Sequence, residues 1–248
     1  MNSLSSSPTR SLGSDPYKPA TITQDELQLQ SHLSMRTAWL TTGAFHQAVK
    51  RSMDLAGALV GLFLLAPVML VIWLLIRLES PGPVLFRQLR RGYQGRLFWV
   101  LKFRTMVVDA EQRLKELEPN NESVGGVLFK LRDDPRVTRL GRSLRRSSLD
   151  ELPQLINVLR GEMSLVGPRP LQLRDSNMLK ALDPAGYACR LRAMPGLTGP
   201  WQVGGRKDVD YTHMVKLDCE YVQKSSVLLD IWIILRTFVV VFFGRGAY

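Results

Sequence analysis

Two adjacent acids, Asp150 and Glu151, are the side chains whose type and spacing best fit a chemical reaction. They start a helical pattern, because Pro153 is tolerated only in the first turn of a helix. Asp150 is therefore expected at or beside a helix N-terminus, where the dipole keeps a carboxylate ionised and free amides bind phosphate oxygens. Such a pair can bind a metal ion or attack phosphorus; the simpler alternative is that both acids only cap the helix.

Arginines surround this acid pair and favour the chemical interpretation. Guanidinium groups bind phosphate through paired donors, and like charges on one helix face repel unless an anion lies there. Arg145 and Arg146 lie nearest the acids and are the candidates for the site; the alternative for the others is a face against anionic lipid. Arg169 follows between two prolines that restrict its backbone, which suits one fixed orientation towards a phosphate, although a structural turn is the alternative. The arginines that precede the acids are Arg136, Arg139, Arg142, Arg145 and Arg146.

The overall charge also predicts an anionic partner. Lys and Arg number 33 against 22 Asp and Glu, a formal net charge of +11, which fits nucleic acid, phospholipid headgroups or a phosphorylated substrate. A glycine-containing loop at 195–206, which includes Gln202 and Arg206, is a candidate for holding a nucleotide. The two cysteines lack metal-ligand spacing and the three histidines lie far apart, so we expect neither a disulfide framework nor a histidine metal cluster.

A long apolar segment predicts membrane association. Leu55–Ile76 contains 22 residues without a charge, roughly 33 Å as a straight helix and enough to cross a hydrocarbon core of about 30 Å. Pro67 removes a helical hydrogen bond just past the midpoint, and basic residues flank both ends, which favours both ends on the cytoplasmic side. These features predict a re-entrant helix that bends at Pro67; a single kinked crossing is the alternative.

The remaining sequence predicts an α+β fold that is mostly helical with a small β-hairpin. Prolines and glycines between 168 and 205 indicate a loop-rich second half. The apolar C-terminal segment, interrupted by Asp230 and Arg236, predicts an amphipathic helix at the membrane interface, with a core helix as the alternative. The predicted strands are Val84–Arg90 and Leu97–Phe103, and the predicted helices are Val107–Glu118, Arg136–Arg146, Glu151–Arg160 and Val227–Phe243.

Several motifs resemble the monotopic phosphoglycosyl transferases, a family of bacterial sugar transferases also called polyprenyl-phosphate hexose-1-phosphate transferases. They are KRSMDL before the apolar run, LKFRTM at 101–106, the long motif at 134–170, PGLTGPWQVGGR at 195–206 and the C-terminal LDIWIILRT. The resemblance covers about residues 48–243 and identifies the minimal catalytic form of the family. The chain has Ala66-Pro67 where family members have Ser-Pro at the helix bend.

This resemblance implies a covalent two-step reaction on the cytoplasmic face of the bacterial inner membrane. Asp150 would attack the β-phosphate of a UDP-sugar and release UMP, and polyprenyl (undecaprenyl) phosphate would then accept the phosphosugar. The resemblance implies that Glu151 binds Mg²⁺, that Arg145 and Arg169 bind phosphate, and that Asp218 lies near the nucleotide. Residues 1–47 are rich in Ser, Thr and Gln with little apolar periodicity, which predicts a mobile tail. A re-entrant membrane helix at 48–79 and a catalytic domain at 80–248 that ends in the interfacial helix are expected to follow.

Two other classes of protein compete with this enzyme. A membrane-anchored nucleic-acid-binding protein would suit the net charge, but the chain has no recognisable nucleic-acid module and the acids would repel a phosphate backbone, so we expect no nucleic-acid partner. A non-catalytic scaffold of a polysaccharide-export assembly is the alternative; the presence of Asp150 argues against it. Glucose and galactose are the leading sugars for initiation of an exopolysaccharide or O-antigen repeat, and the sequence leaves a homo-oligomer open.

Overall fold

The computed structural model describes residues 44–117, 119, 121, 131, 133–204 and 211–243. Most of the predicted tail at 1–47 lies outside this range. The first described helix, α1, runs from Ala44 to Glu79. The elements after α1 are β1 (Leu85–Arg91), β2 (Leu97–Phe103), α2 (Ala110–Leu117), α3 (Arg139–Ser147), α4 (Gln154–Leu159), β3 (Ser164–Val166), β4 (Leu171–Gln172), α5 (Leu173–Leu182), α6 (Pro184–Arg190), β5 (Gly196–Thr198), α7 (Pro200–Val203), α8 (Tyr211–Lys224) and α9 (Val227–Phe243).

Helix α1 carries the predicted membrane segment. Among the described residues it is the one helix long and apolar enough to cross a membrane, with an 18-residue stretch of mean hydropathy 2.9. Many of its large apolar side chains are exposed, including Phe63, Leu70 and Leu78, which suggests that lipid covers them. The helix continues through Pro67 without an interruption, so the predicted bend and the re-entrant path stay predictions.

The predicted β-hairpin is confirmed. Strands β1 and β2 pair antiparallel from Leu85 opposite Phe103 to Arg91 opposite Leu97. Their connection places Gly95 at a φ of 80°, in the left-handed region that glycine adopts without steric cost. The short strand β4 pairs with the other edge of β1, in the order β2-β1-β4, while β3 and β5 form a separate parallel pair.

Helix α4 and the hairpin pack on one part of α1. Their shared core contains Ala58 of α1, Val100 of β2 and Val158 of α4, all almost fully buried. Asn157 ties α4 to β2, because its side-chain oxygen accepts from the Leu101 amide at 3.0 Å and its nitrogen donates to the Trp99 carbonyl at 2.8 Å. This contact places the turn at Leu149–Glu151, just before α4, against strand β2.

The start of the basic helix differs from the prediction. Helix α3 begins at Arg139 rather than Arg136, because the Thr138 hydroxyl caps it by accepting from the Gly141 amide at 2.9 Å. Arg136 is buried before the helix, where it forms an ion pair with Asp134 at 2.6 Å. The prediction that Arg136 belongs to the basic helix is therefore wrong, and its charge is paired within the fold.

The second half of the chain is more helical than predicted. Helices α5, α6 and α8 occupy stretches that the prolines and glycines had suggested were loops. The C-terminal helix α9 has the predicted bounds. Asp230 and Ile233 of α9 are buried, while Leu228, Trp232 and Leu235 are exposed, so the helix presents an apolar face outward as an interfacial helix would; its position at an interface stays a prediction.

Candidate active site

A sharp turn between α3 and α4 brings the acid pair out of the helical pattern. Ser148 adopts a left-handed backbone, with φ 57° and ψ 16°, and Leu149–Glu151 then form a single 3₁₀ turn. Pro153 directly precedes α4, which begins at Gln154. Asp150 and Glu151 therefore lie just before this α-helix and not within its first turn. A non-glycine residue in the left-handed region is strained, so the surrounding packing must hold the turn.

Glu151 lies between two cations from different parts of the chain. Its Oε1 accepts from Lys102 Nζ of β2 at 2.6 Å and from Arg169 Nη2 at 2.7 Å. Arg169 lies in the loop between β3 and β4. Burial acts to raise the pKa of Glu151, but the charges and hydrogen bonds of Arg169 and Lys102 outweigh it and hold that pKa well below its usual range. Glu151 is therefore a firmly ionised carboxylate.

Asp150 has a different environment from its neighbour. Its Oδ2 lies 3.9 Å from Lys102 Nζ, and its side chain is buried. Burial raises its pKa above the usual range, against the opposing charges of Lys102, Arg145 and Arg169. A carboxylate that is poorly solvated in this way is a stronger nucleophile than one in water, and the nearby cations favour its ionised form.

The two predicted arginines of α3 differ in their surroundings. Arg145 is half-buried and its Nε donates to the Thr105 hydroxyl at 2.9 Å, which points it back towards the end of the LKFRTM motif. Its charge acts on Asp150. Arg146 is exposed at the next position along the helix. The contacts therefore tie Arg145 to the site more closely than Arg146.

Two of the predicted substrate-binding residues, Asp218 and Gln202, are buried in the fold. Asp218 of α8 is fully buried, and its Oδ2 accepts from Arg190 Nε at 2.8 Å. Burial raises the pKa of Asp218 despite the Arg190 charge. Gln202 is buried in the short helix α7. Arg206 lies outside the described residues.

Two small clefts meet at Arg169 and Pro170. The first is lined by Glu151 and Lys102. The second is lined by Arg91 and Arg190. Lys102, Arg90 and Arg190 were not among the predicted site residues. Lys102 was detectable in principle, because it lies within a strand whose neighbours are apolar and lies inside the LKFRTM motif.

The chemistry of the acid pair is compatible with Mg²⁺. Magnesium is usually held by one or two carboxylates and completes its shell with water and substrate phosphates. Among the described residues no group of three or more acidic, histidine or cysteine side chains could hold a metal, so a site here would depend on Asp150 and Glu151 together with phosphate oxygens. Lys102 and Arg169 would compete with the ion for the Glu151 carboxylate.

Cations around a carboxylate pair, beside a long exposed apolar helix, form the arrangement expected of an enzyme that handles phosphate groups next to a membrane. Comparison with known proteins agrees with this class. The model of the family described as bacterial sugar transferase matches residues 45–244. The chain therefore belongs to the bacterial sugar transferase family.

Three relatives illustrate the range of the family. The exopolysaccharide production protein ExoY of Rhizobium meliloti is 43% identical over 202 residues, covering 80% of this chain and 88% of ExoY. The UDP-glucose:undecaprenyl-phosphate glucose-1-phosphate transferase of Caulobacter vibrioides is 45% identical over 193 residues, 76% of this chain and 67% of that protein. The galactosyl transferase CpsE of Streptococcus agalactiae is 43% identical over 203 residues, 82% of this chain but only 44% of CpsE. The chain thus spans less than half the length of CpsE.

Proposed function

We propose that this protein transfers a sugar 1-phosphate from a UDP-sugar to undecaprenyl phosphate and so initiates an exopolysaccharide or O-antigen repeat. The observation that carries the proposal is the adjacent pair Asp150 and Glu151, held in 3₁₀ geometry against Lys102 and Arg169. The names of several relatives support the substrates, among them the undecaprenyl-phosphate galactose phosphotransferase of Salmonella typhimurium and the UDP-galactose-lipid carrier transferase of Erwinia amylovora. Glucose and galactose are both named among the relatives and are the sugars we favour.

In the first step the Asp150 carboxylate attacks the β-phosphorus of the UDP-sugar. A bond forms between the carboxylate oxygen and phosphorus, the bond from that phosphorus to the bridging oxygen breaks, and UMP leaves with the electron pair. Lys102 and Arg169 lie where they can bind the phosphate oxygens, and their charges offset the negative charge of the transition state. The product on the enzyme is an acyl phosphate that carries the sugar.

In the second step an oxygen of undecaprenyl phosphate attacks the same phosphorus. The bond to Asp150 breaks, the carboxylate is regenerated, and the sugar diphosphate lipid leaves. An acyl phosphate is a good donor because a weakly basic carboxylate is a good leaving group. Glu151 would hold Mg²⁺, which offsets phosphate charge when bound.

The proposed location is the cytoplasmic face of the bacterial inner membrane. Both ends of α1 contact the same domain: Lys50 near its start binds Asp230 of α9, and Glu79 at its end accepts from the Leu140 amide of α3 at 3.0 Å. A helix fastened at both ends to one domain supports a path that enters and leaves the same leaflet. The exposed apolar side chains of α1 and α9 would lie in lipid, against inner-membrane phospholipid.

A UMP-release screen over a panel of UDP-sugars tests the proposal. The purified protein in detergent or nanodiscs is incubated with each UDP-sugar and Mg²⁺, with and without undecaprenyl phosphate. We expect one UDP-hexose to give a single burst of UMP without the lipid and continuous release with it. No UMP from any UDP-sugar in the presence of lipid would favour the non-catalytic scaffold.

A further inference from the structure

The loop that carries Arg169 is held by two buried arginines. Arg190 of α6 donates from Nη2 to the carbonyl oxygen of Arg169 at 2.7 Å, and Arg90 of β1 donates from Nη1 to the carbonyl oxygen of Pro170 at 2.8 Å. The two acceptors are consecutive in the chain, but the two donors are 100 residues apart in sequence and lie in different elements. The backbone on the C-terminal side of the Arg169 side chain is therefore fixed from two directions.

Each of these arginines is fixed in turn by a second contact. Arg190 is 7% exposed, and its Nε donates to Oδ2 of Asp218, which is 0% exposed. Arg90 is 9% exposed, and its Nη2 donates to Gln88 Oε1 at 2.6 Å. A guanidinium with several donors in one plane can hold two acceptors in a set geometry, which a lysine cannot do.

The loop needs such external support because its prolines have no amide hydrogen. Pro168 and Pro170 cannot donate hydrogen bonds, and the pairing of β4 with β1 begins only at Leu171. The carbonyl of Pro168 accepts from the Gly196 amide at 2.9 Å. With Arg90 and Arg190 on the next two carbonyls, all three carbonyls from Pro168 to Pro170 are held, and the Arg169 side chain leaves this fixed backbone towards Glu151 at 2.7 Å.

We propose that Arg90 and Arg190 are positioning residues for phosphosugar transfer, which hold the Arg169 guanidinium beside Glu151 by binding the carbonyls of Pro170 and Arg169. This inference rests on the proposed function. Asp218 then acts through Arg190 rather than by contact with the nucleotide. The three side chains form one path from the buried face of α8 to the cleft: Asp218 fixes Arg190, Arg190 fixes the backbone of Arg169, and Arg169 meets the substrate.

A double-mutant cycle on activity tests this inference. Arg190→Met in the full-length protein should lower kcat/KM by about tenfold to hundredfold, because a displacement of about 1 Å at a phosphate-binding group is enough for such a loss. In an Arg169→Lys background the same Arg190→Met change should cost less than about twofold, because residues that act as one unit are non-additive. Additive losses would overturn the inference and would indicate that Arg190 binds substrate itself or only stabilises the fold.

Two further variants keep the test decisive if Arg190→Met does not fold. Asp218→Asn keeps an oxygen for Arg190 but removes its charge, and Arg90→Met releases the loop from the other side. Each should lose activity in the wild-type background and lose almost none in the Arg169→Lys background. Full activity of both single variants, measured per folded molecule, would overturn the inference as well.

Arg104 provides the matched control. It is 8% exposed and donates to the carbonyls of Ser80 and Pro81 at 2.8 and 3.0 Å, so it has the same burial and the same kind of contact at another loop. The fold-loss in kcat/KM caused by Arg104→Met should be the same in the wild-type and Arg169→Lys backgrounds. The wild-type assay separates the two hypotheses: without UMP release in the wild type the proposed function fails, whereas an active wild type with additive losses contradicts only the positioning role.

Discussion

Two clusters of buried charged side chains resemble each other in composition, but their carboxylates differ in the contacts that they make and in their surroundings. The site cluster consists of Asp150, Glu151, Lys102 and Arg169. The junction cluster joins α1 to α9 through Lys50, Asp230 and Tyr221. Within the junction cluster Asp230 accepts from Lys50 at 2.5 Å and from the Tyr221 hydroxyl at 2.7 Å, and both donors also reach the carbonyl of Val166.

The two clusters differ in solvent exposure and in the contacts of their carboxylates. Asp230 is 1% exposed and both of its oxygens are used within the protein. In the site cluster Arg169 is 29% exposed and lies at the meeting point of two clefts, and Asp150 has its nearest cation at 3.9 Å. The junction cluster fastens α1 to α9, whereas in the site cluster Arg169 is partly exposed and Asp150 is poorly solvated. Variants in each cluster should therefore separate activity from stability.

The largest effect on activity is expected from Asp150→Asn. This change should abolish UMP release and leave no phosphosugar on the protein, because the amide cannot act as the nucleophile. It should also raise the thermal midpoint at neutral pH. The pKa of Asp150 is raised by burial, so the ionised side chain destabilises the fold above its ordinary pKa of 3.8, and the gain should disappear in acid.

Intact-protein mass spectrometry after incubation with a UDP-sugar alone checks the chemical part, with wild type as the positive control. An adduct on Asp150→Asn would exclude the assigned nucleophile. Differential scanning fluorimetry at neutral and acidic pH checks the other part. A lower thermal midpoint at neutral pH would show that the ionised Asp150 stabilises the fold, as the paired Asp230 does. The proposed difference between the two clusters would then be wrong.

Glu151→Gln should come next, with loss of both rate and stability. We expect kcat to fall by about 100- to 1000-fold. The Glu151 carboxylate holds the positive charges that stabilise the transition state, and an amide would hold them less well. The pKa of Glu151 is depressed because its ion pairs outweigh burial, so its stabilisation is present above its ordinary pKa of 4.5 and is lost as the pH falls through the folded value. The thermal midpoint should therefore fall at neutral pH, opposite in sign to Asp150→Asn.

A Mg²⁺ titration of this variant tests the metal role separately. Weaker dependence on Mg²⁺, with folding otherwise normal by circular dichroism, is the expected result. A titration curve identical to that of the wild type would remove Glu151 as the metal ligand and leave it as the partner of Lys102 and Arg169.

Arg169→Lys should have a smaller effect than either acid variant. The charge is kept, but a lysine cannot present two donors in one plane, so kcat/KM should fall by about 10- to 100-fold. Initial rates of UMP release across a range of UDP-sugar concentrations measure the change. Activity close to that of the wild type would mean that the loop from Gly167 to Pro170 is a structural turn.

The matching change in the junction cluster should leave chemistry almost untouched. Lys50→Met removes one partner of the buried Asp230 and should lower the free energy of unfolding by about 3 kcal/mol. Activity per folded molecule should stay within about twofold of the wild type, because independent sites contribute separately. Thermal unfolding in detergent and an assay normalised to folded protein provide the two readouts. A large loss of activity in the folded fraction would show that the junction cluster also shapes the site.

How much of this could be predicted from sequence depends on how local each feature is. The hairpin was found because its strands are apolar and its turn contains Gly92 and Gly95, and α9 was found with its observed bounds because an apolar run marks it. The pairing of Glu151 with Arg169 was within reach because one continuous motif contains both residues. The helix predicted at Glu151–Arg160 begins later, at Gln154, because Leu149–Glu151 form a 3₁₀ turn. That turn follows Ser148, whose left-handed backbone no local signal indicated.

The features that were missed depend on contacts between distant segments. Lys102 contacts Glu151 across 49 residues, and Arg90 contacts Pro170 across 80. Only Lys102 has a local signal, because its strand neighbours are apolar and it lies within the LKFRTM motif. The role of Asp218 near the nucleotide stays a prediction. Its contact with Arg190 was not foreseen, because it requires α6 and α8 to pack together. Helices α5, α6 and α8 were missed because the prolines and glycines of the second half suggested loops.

The smallest expected effect concerns the path of α1 through the membrane, which the junction cluster helps to set. In a chain with Cys189 and Cys219 replaced by serine, single cysteines at the exposed positions Phe45 and Arg87 should both be labelled only after the cytosolic side is opened. Pro67→Ala restores a helical hydrogen bond and should shift only a fraction of molecules to a spanning form, because the contact between Lys50 and Asp230 still holds the start of α1 on the domain. Adding Lys50→Met to Pro67→Ala should increase that fraction.

Periplasmic labelling of Phe45→Cys in intact cells without either change would show a spanning helix. Cytosolic labelling of both sites in the double variant would show that neither Pro67 nor the junction cluster sets the topology.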